Sequence, residues 1–145
     1  MTHVLLVDDD PDIRLLLRTM LVRAGFMVTE TPGGHEALAY LADARPDVVI
    51  LDVQMPQMDG WETLARIRSD LSMAGLPVLL CTVKARPGDM LKGWRMACDG
   101  YVTKPFDNRD LVTEIKAAAT RTAEERAKIQ RSGIAEAVRR VSLDA

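Results

Sequence analysis

Short unbroken apolar runs alternate with stretches whose apolar residues recur every three or four positions. Val4-Leu5-Leu6-Val7 and Val48-Val49-Ile50-Leu51 read as strands buried on both faces. Met27 to Thr31, Pro77 to Thr82 and Gly100 to Thr103 complete a set of five. Between them, Ile13, Leu16, Leu17, Met20 and Leu21 lie at helical spacing, with Gly25 as a left-handed stop. Ala37, Leu38 and Leu41 mark a short helix after Pro32-Gly33-Gly34, and Leu64 and Ile67 another after the loop Val53 to Gly60. Helices are also predicted from about Pro87 to Ala97 and from near Asn108. Five strand–helix repeats in this order predict an α/β fold, a parallel sheet with helices on both faces.

The tail has a different texture. Residues 120–132 are rich in charge and alanine, with Ile129 their one large apolar residue. The pattern predicts that the last helix runs on into solvent and is interrupted at Gly133. Ile134, Val138 and Val141 then line one face of a second short helix. A solvated linker or packing tail fits this stretch, and so does a helix for dimerisation or partner docking. The domain is expected to span residues 1–120, with 121–145 a helical extension or linker. A chain ending at Ala119 is expected to fold.

Composition narrows the function classes. Nearly half of the 145 residues are hydrophobic (48%) and 28% are charged, enough for a packed core. A net charge of −2 provides no footprint for sequence-independent nucleic-acid binding, and no direct nucleic-acid contact is expected. The opening apolar run meets Asp8 at once, and no stretch nears the ~18 apolar residues of a membrane span. No membrane association and a cytoplasmic location are expected. Cys81 and Cys98 match no metal spacing and read as buried free thiols.

The chemistry lies at the strand ends, where open parallel sheets bind ligands. Asp8 and Asp9 follow the first strand, Asp52 ends the third, Thr82 the fourth, and Lys104 follows the fifth. Converging carboxylates repel one another unless a cation is present. Oxygen ligands without His or Cys favour Mg²⁺. One carboxylate can then attack a phosphoryl group, while the cation and lysine offset its charge and a hydroxyl donates to it. Asp10 reads instead as a helix cap, ahead of Pro11 at the first helical position.

These residues form motifs: Val7 to Pro11 (VDDDP), Leu51 to Gly60 (LDVQMPQMDG), Thr82, and Asp99 to Phe106 (DGYVTKPF). In order and spacing the chain resembles the response-regulator receiver domains of bacterial two-component systems, from residue 3 to about 120. The resemblance implies a flavodoxin-like, CheY-like three-layer sandwich with strand order 2-1-3-4-5. It implies that Asp52 accepts a phosphoryl group from the phosphohistidine of a sensor histidine kinase or histidine phosphotransfer protein. Asp9, Asp52 and the backbone carbonyl of Gln54 would bind Mg²⁺, with Asp8 acting through water. Lys104 would pair with the phosphoryl group, across a lysine–proline bond that is usually cis in the family. Thr82 and Tyr101 would be the switch pair, the ring following the hydroxyl inward. Tyr101 could also be a plain edge aromatic.

Output is then expected through residues 84–119, where Lys84, Arg86, Lys92, Arg95 and Lys116 are basic and Met90 and Trp94 could anchor an unknown output protein or simply pack inward. Such a protein is a switch that catalyses its own phosphorylation and dephosphorylation, not a turnover enzyme. A monomer or a phosphorylation-dependent dimer fits. Gly100 and Glu114 stand where the DNA-binding subfamily has an acid and an arginine, so that subfamily's dimer is not expected. Val83, larger than usual for the family, is expected to narrow access to Asp52, and Ala97 to alter its turn because alanine resists positive φ. Two other readings are a phosphorylation-independent pseudo-receiver and a haloacid dehalogenase-type phosphatase. The second fits Asp8-Asp9-Asp10 superficially but leaves Asp52 idle.

Overall fold

The structure, a computed structural model, describes residues 1–83 and 86–144; Lys84 lies outside them. Five strands, β1 (His3–Val7), β2 (Met27–Thr31), β3 (Val48–Asp52), β4 (Val78–Thr82) and β5 (Gly100–Thr103), form one parallel sheet in the order β2-β1-β3-β4-β5. Six helices accompany them among the described residues: α1 (Pro11–Arg23), α2 (Gly34–Leu41), α3 (Gly60–Ser69), α4 (Pro87–Arg95), α5 (Asn108–Thr120) and α6 (Ala123–Asp144).

Two-residue alternation splits the central strands between two cores. Leu5, Val7, Val49, Leu51, Val78 and Leu80 face Ala37, Leu41, Leu64 and Ile67 of α2 and α3. Val4, Leu6, Val48, Ile50, Leu79 and Cys81 face Leu17 and Leu21 of α1 and Leu111, Ile115 and Ala118 of α5. Both cysteines are buried and unpaired. The sheet is therefore a three-layer sandwich, and side chains at the carboxyl ends of its strands all emerge along one edge.

Local signals act as their chemistry dictates. The Asp10 carboxylate caps α1, accepting from the N–H groups of Asp12 (2.9 Å) and Ile13 (3.4 Å), and Pro11 opens the helix. Gly25 takes φ +95° after it. Before β5, Ala97 adopts φ 65°, the left-handed conformation that a Cβ disfavours. Its carbonyl is held there by the Arg68 guanidinium at 2.8 and 2.9 Å. The turn thus forms despite the alanine, and Ala97→Gly should stabilise the domain by about 0.5–1 kcal/mol. Urea denaturation of the two proteins measures it, and a less stable glycine variant would contradict the argument.

The tail departs from expectation in two ways. Helix α5 does not run on: it stops at Thr120, and Arg121 is extended, with φ −65° and ψ 139°. A reciprocal cap restarts the chain, the Thr122 N–H donating to Glu125 Oε1 and the Glu125 N–H to Thr122 Oγ1, both at 3.1 Å. Nor does Gly133 interrupt α6, a single helix of 22 residues from Ala123 to Asp144. The glycine instead permits close approach, because a Cβ there would lie 2.3 Å from Trp94 Cε2. Helix α6 runs antiparallel to α4 and packs along it, with Ala137 buried. Its one-sided burial passes through Ile129, Gly133, Ile134, Ala137 and Val141, whereas Val138, assigned to the apolar face by spacing, is 40% exposed.

Candidate phosphorylation and metal site

The site begins at the end of β3. Asp52 is the last residue of that strand and is buried, with its backbone pinned on two sides. The Val53 N–H donates to the Cys81 carbonyl at 3.0 Å. Gly60, which opens α3, sits so close that a Cβ would come 2.3 Å from the Asp52 carbonyl oxygen. The loop between closes through the Gly60 N–H on the Val53 carbonyl, 2.9 Å. This glycine is required by backbone proximity, since its φ is helical.

Asp8 and Asp9 arrive from β1. Asp8 is buried, Asp9 exposed, and carboxylate oxygens of Asp8, Asp9 and Asp52 all lie within 4.8 Å of one another. Asp8 Oδ1 accepts from the Asp10 N–H at 2.9 Å, and its own carbonyl accepts from Arg14 Nη1 at 2.7 Å. Arg14 is in turn held by Glu30 at 3.1 Å. Lys104 enters from beyond β5, and the bond that follows it, Lys104–Pro105, is cis. Its Nζ donates to Asp8 Oδ2 at 2.9 Å and lies 3.5 Å from Asp52 Oδ1. The Lys104 N–H donates to the Thr82 carbonyl at 2.9 Å, which ties the lysine to the end of β4.

The electrostatics follow from this crowding. Burial first, and the Asp8 carboxylate second, push Asp52 up to about 6, against the opposing pull of Lys104. Burial disfavours the charge on Lys104. The hydrogen bond that Lys104 donates to Asp8 and the Asp52 charge outweigh it, so the ammonium is held above its ordinary range. Three acids with one lysine leave unneutralised negative charge in a partly desolvated cluster. The donor set is all oxygen, with no His or Cys, which fits a hard divalent cation. The Gln54 N–H lies 3.4 Å from Asp52 Oδ1, so the backbone at that residue adjoins the same carboxylate.

Thr82 and Tyr101 both line a cleft of about 830 Å³ beside Asp52, together with Gln54, Trp61, Val83 and Arg86. Thr82 is buried and Val83 is exposed at the cleft wall. Tyr101 is half-buried, its hydroxyl donating to the Asp89 carbonyl of α4. It is therefore packed on α4 rather than standing free at a sheet edge. Gly100 faces Glu114: a Cβ at Gly100 would lie 2.9 Å from Glu114 Oε1. An acid there would meet a like charge, whereas Glu114 pairs with Arg121 at 3.7 Å.

The structure thus gathers Asp8, Asp9, Asp52 and Lys104 at one point and puts Thr82 and Tyr101 on the adjoining cleft. Asp10 is turned away as a cap, so the Asp-x-Asp reading of a dehalogenase-type phosphatase loses its second acid. Sequence reasoning missed Arg14, whose signal is weak because basic residues on α1 are ordinary. In the sequence Asp99 reads only as part of its motif; the structure makes it a buried acid between Arg68 (2.9 Å) and Arg126 (2.7 Å).

Fold and site together define a phosphorylation-dependent signalling domain, and comparison with known proteins agrees. The chain belongs to the response regulator receiver domain family, whose model matches residues 4–116. It is 38% identical over 119 residues to the probable transcriptional regulator ycf27 of Guillardia theta, an alignment covering 82% of this chain and 46% of that protein. It is 34% identical over 122 residues to the DNA-binding dual master transcriptional regulator RpaA of Synechocystis, covering 84% and 51%. The chain therefore spans about half the length of these curated relatives. Among solved structures, the chemotaxis protein CheY4 of Vibrio cholerae superposes with a TM-score of 0.77 at 34% identity, covering 81% of this chain and 98% of that one. The Francisella response regulator 1452 receiver domain gives 0.76 at 27% identity, covering 82% and 97%. Proteins of this family are signalling switches rather than turnover enzymes. Among the described residues no helix is long and apolar enough to cross a membrane.

Proposed function

We propose that Asp52 is the phosphoacceptor and that the phosphoryl donor is the phosphohistidine of a sensor histidine kinase or histidine phosphotransfer protein. The observation carrying this reading is the cluster itself: three carboxylates with oxygens within 4.8 Å and an ammonium 3.5 Å from the central one. An Asp52 oxygen attacks phosphorus, the P–O bond forms as the P–N bond breaks, and the imidazole leaves. Lys104, released from Asp8 or shared with it, offsets charge on the phosphoryl oxygens. The Thr82 hydroxyl donates to one of those oxygens, and Tyr101 follows it from its seat on α4. Asp9, Asp52 and the Gln54 carbonyl are the residues that would hold Mg²⁺, with Asp8 acting through water. Bound there, the cation would neutralise charge gathering on the transferred group. The chain promotes its own phosphorylation and dephosphorylation, and its output is made by contacts with an unidentified protein in the cytoplasm.

Incubation of the whole chain with acetyl phosphate and Mg²⁺ tests the reading. Intact mass should rise by one phosphoryl group, absent when the cation is chelated, and borohydride trapping should map it to Asp52. Labelling on another residue, or none, would overturn the assignment.

The metal ligands are tested separately. Asp9→Ala should weaken Mg²⁺ binding by roughly tenfold or more, because a hard cation with few protein ligands depends on each carboxylate. Titration calorimetry giving wild-type affinity would remove Asp9 from the site.

A further inference from the structure

Trp94 is held between the switch residue and the tail. Its ring meets that of Tyr101 edge-on, with centroids 6.2 Å apart and planes at 66°. Gly133 of α6 meets the same side chain, since a Cβ there would fall 2.3 Å from the indole. Tyr101 occupies a second glycine's space: a Cβ at Gly93 would lie 2.0 Å from the Tyr101 hydroxyl oxygen. Gly93, Tyr101, Trp94 and Gly133 therefore form one continuous stack, with a glycine at each end where an aromatic fills the Cβ position.

Helix α6 is anchored unequally along its length. In its first half, Arg126 grips buried Asp99 at 2.7 and 3.1 Å and the Gly75 carbonyl at 2.6 Å. Gln130 Nε2 lies 3.4–3.5 Å from the Cys98 and Ala97 carbonyls. Asp99 also accepts from the Val78 N–H at 2.8 Å, so this anchor belongs to the amino ends of β4 and β5, away from Asp52. From Gly133 onward the covered face is apolar, with half-buried Ile134 and Val141 and buried Ala137, and the polar contact to α4 is a weak one from Arg140 to Met90 Sδ, 3.8 Å. Glycine holds a helix less firmly than alanine, because it has more backbone freedom to lose, so Gly133 also marks the place where α6 yields most readily.

We propose that residues 133–144 are a cover on α4, docked while Tyr101 lies against Trp94 and released when Tyr101 turns toward phosphorylated Asp52, with residues 123–132 remaining fixed. Release uncovers Met90 and Trp94 on α4. This rests on the assignment of Asp52 as phosphoacceptor and Tyr101 as the responding ring. Reciprocity follows from linkage: whatever loosens the cover must favour the loaded site to the same degree.

Hydrogen exchange on the whole chain, with Mg²⁺ alone and with Mg²⁺ and beryllofluoride, tests the proposal, with bound fluoride counted by fluorine NMR. On loading, amides of residues 134–141 should exchange at least about tenfold faster while those of 124–131 change by less than about twofold. Tyr101→Ala should still load, but its tail should no longer respond. Gly133→Val should free the tail without ligand and lower the half-saturating beryllofluoride concentration severalfold. A loaded chain with an unchanged tail overturns the coupling alone, as does a freed Gly133→Val tail with an unchanged midpoint. A chain that takes up no beryllofluoride overturns the Asp52 reading and this one with it.

Discussion

Asp52→Asn is expected to end phosphoryl incorporation and, at pH 7, to make the metal-free domain more stable by roughly 1–3 kcal/mol. The first effect follows because the amide is a poor nucleophile at the one strand end where the acids converge. The second follows from the position of the Asp52 carboxyl at about 6 against an ordinary 3.8, raised by burial first and by Asp8 second. A raised acid binds its proton more tightly in the folded chain than in the unfolded one. Folding is therefore favoured on the acid side, and that advantage is lost as pH rises from 3.8 to about 6. Above that window the ionised carboxylate carries its full desolvation and repulsion cost, which asparagine does not. The variant's advantage should thus grow across the window, level off above it and vanish below it. Urea denaturation at several pH values, beside the labelling assay, measures both effects. Asp10→Ala is the control: it should keep labelling and lose about 1 kcal/mol, the worth of a helix cap. An Asp52→Asn chain that still incorporates phosphate, or whose stability gain ignores pH, contradicts the site as described.

Ending the chain after Thr120 is expected to leave a folded domain that still accepts phosphate but is about 2–5 kcal/mol less stable. Folding should survive because the five strand–helix units and both cores are complete without α6. The loss has two sources. Asp99, with a side chain only 2% exposed, loses Arg126 and keeps Arg68 as its cationic partner. A buried carboxylate stripped of one hydrogen-bonded cation bears part of its desolvation cost. Trp94 and Met90 also become exposed on α4. Arg126→Ala in the whole chain isolates the first source and should account for about half the loss or more. A truncated chain as stable as the whole one would show that α6 contributes nothing to the domain. An unfolded one would show that the domain does not end at residue 120.

Most of the fold is legible because its signals are local. A run such as Val48 to Leu51, repeated in alternation with helical spacing, is what a parallel sheet covered on both faces requires. Asp10-Pro11 and Gly25 punctuate α1 by their own capping and φ preferences. Asp8, Asp9, Asp52, Thr82 and Lys104 are legible for a related reason. Each ends or follows an apolar strand, and parallel strands deliver their carboxyl ends to one edge whatever the details of packing. Their spacing with the flanking motifs then points to a family.

The tail shows the opposite case. Thr122 and Glu125 carry the spacing of a capping box, a local signal for a new helix that the charge-rich texture of the stretch masks. What Gly133 does was not legible, because glycine reads as a breaker unless one knows that Trp94 of another helix fills its Cβ position. The role of Arg126 is likewise invisible in a stretch of charge, since nothing local distinguishes it from Arg131. It reaches a buried acid 27 residues earlier, and that depends on how α6 folds back along α4. By itself the sequence determined the strand–helix order, the acid cluster and its lysine, because backbone propensity and sheet direction act over a few residues. Only the tertiary structure decided that Asp52 is held near 6, that Tyr101 leans on Trp94, and that the last helix covers α4. Those outcomes depend on distances between groups that the chain brings together from far apart.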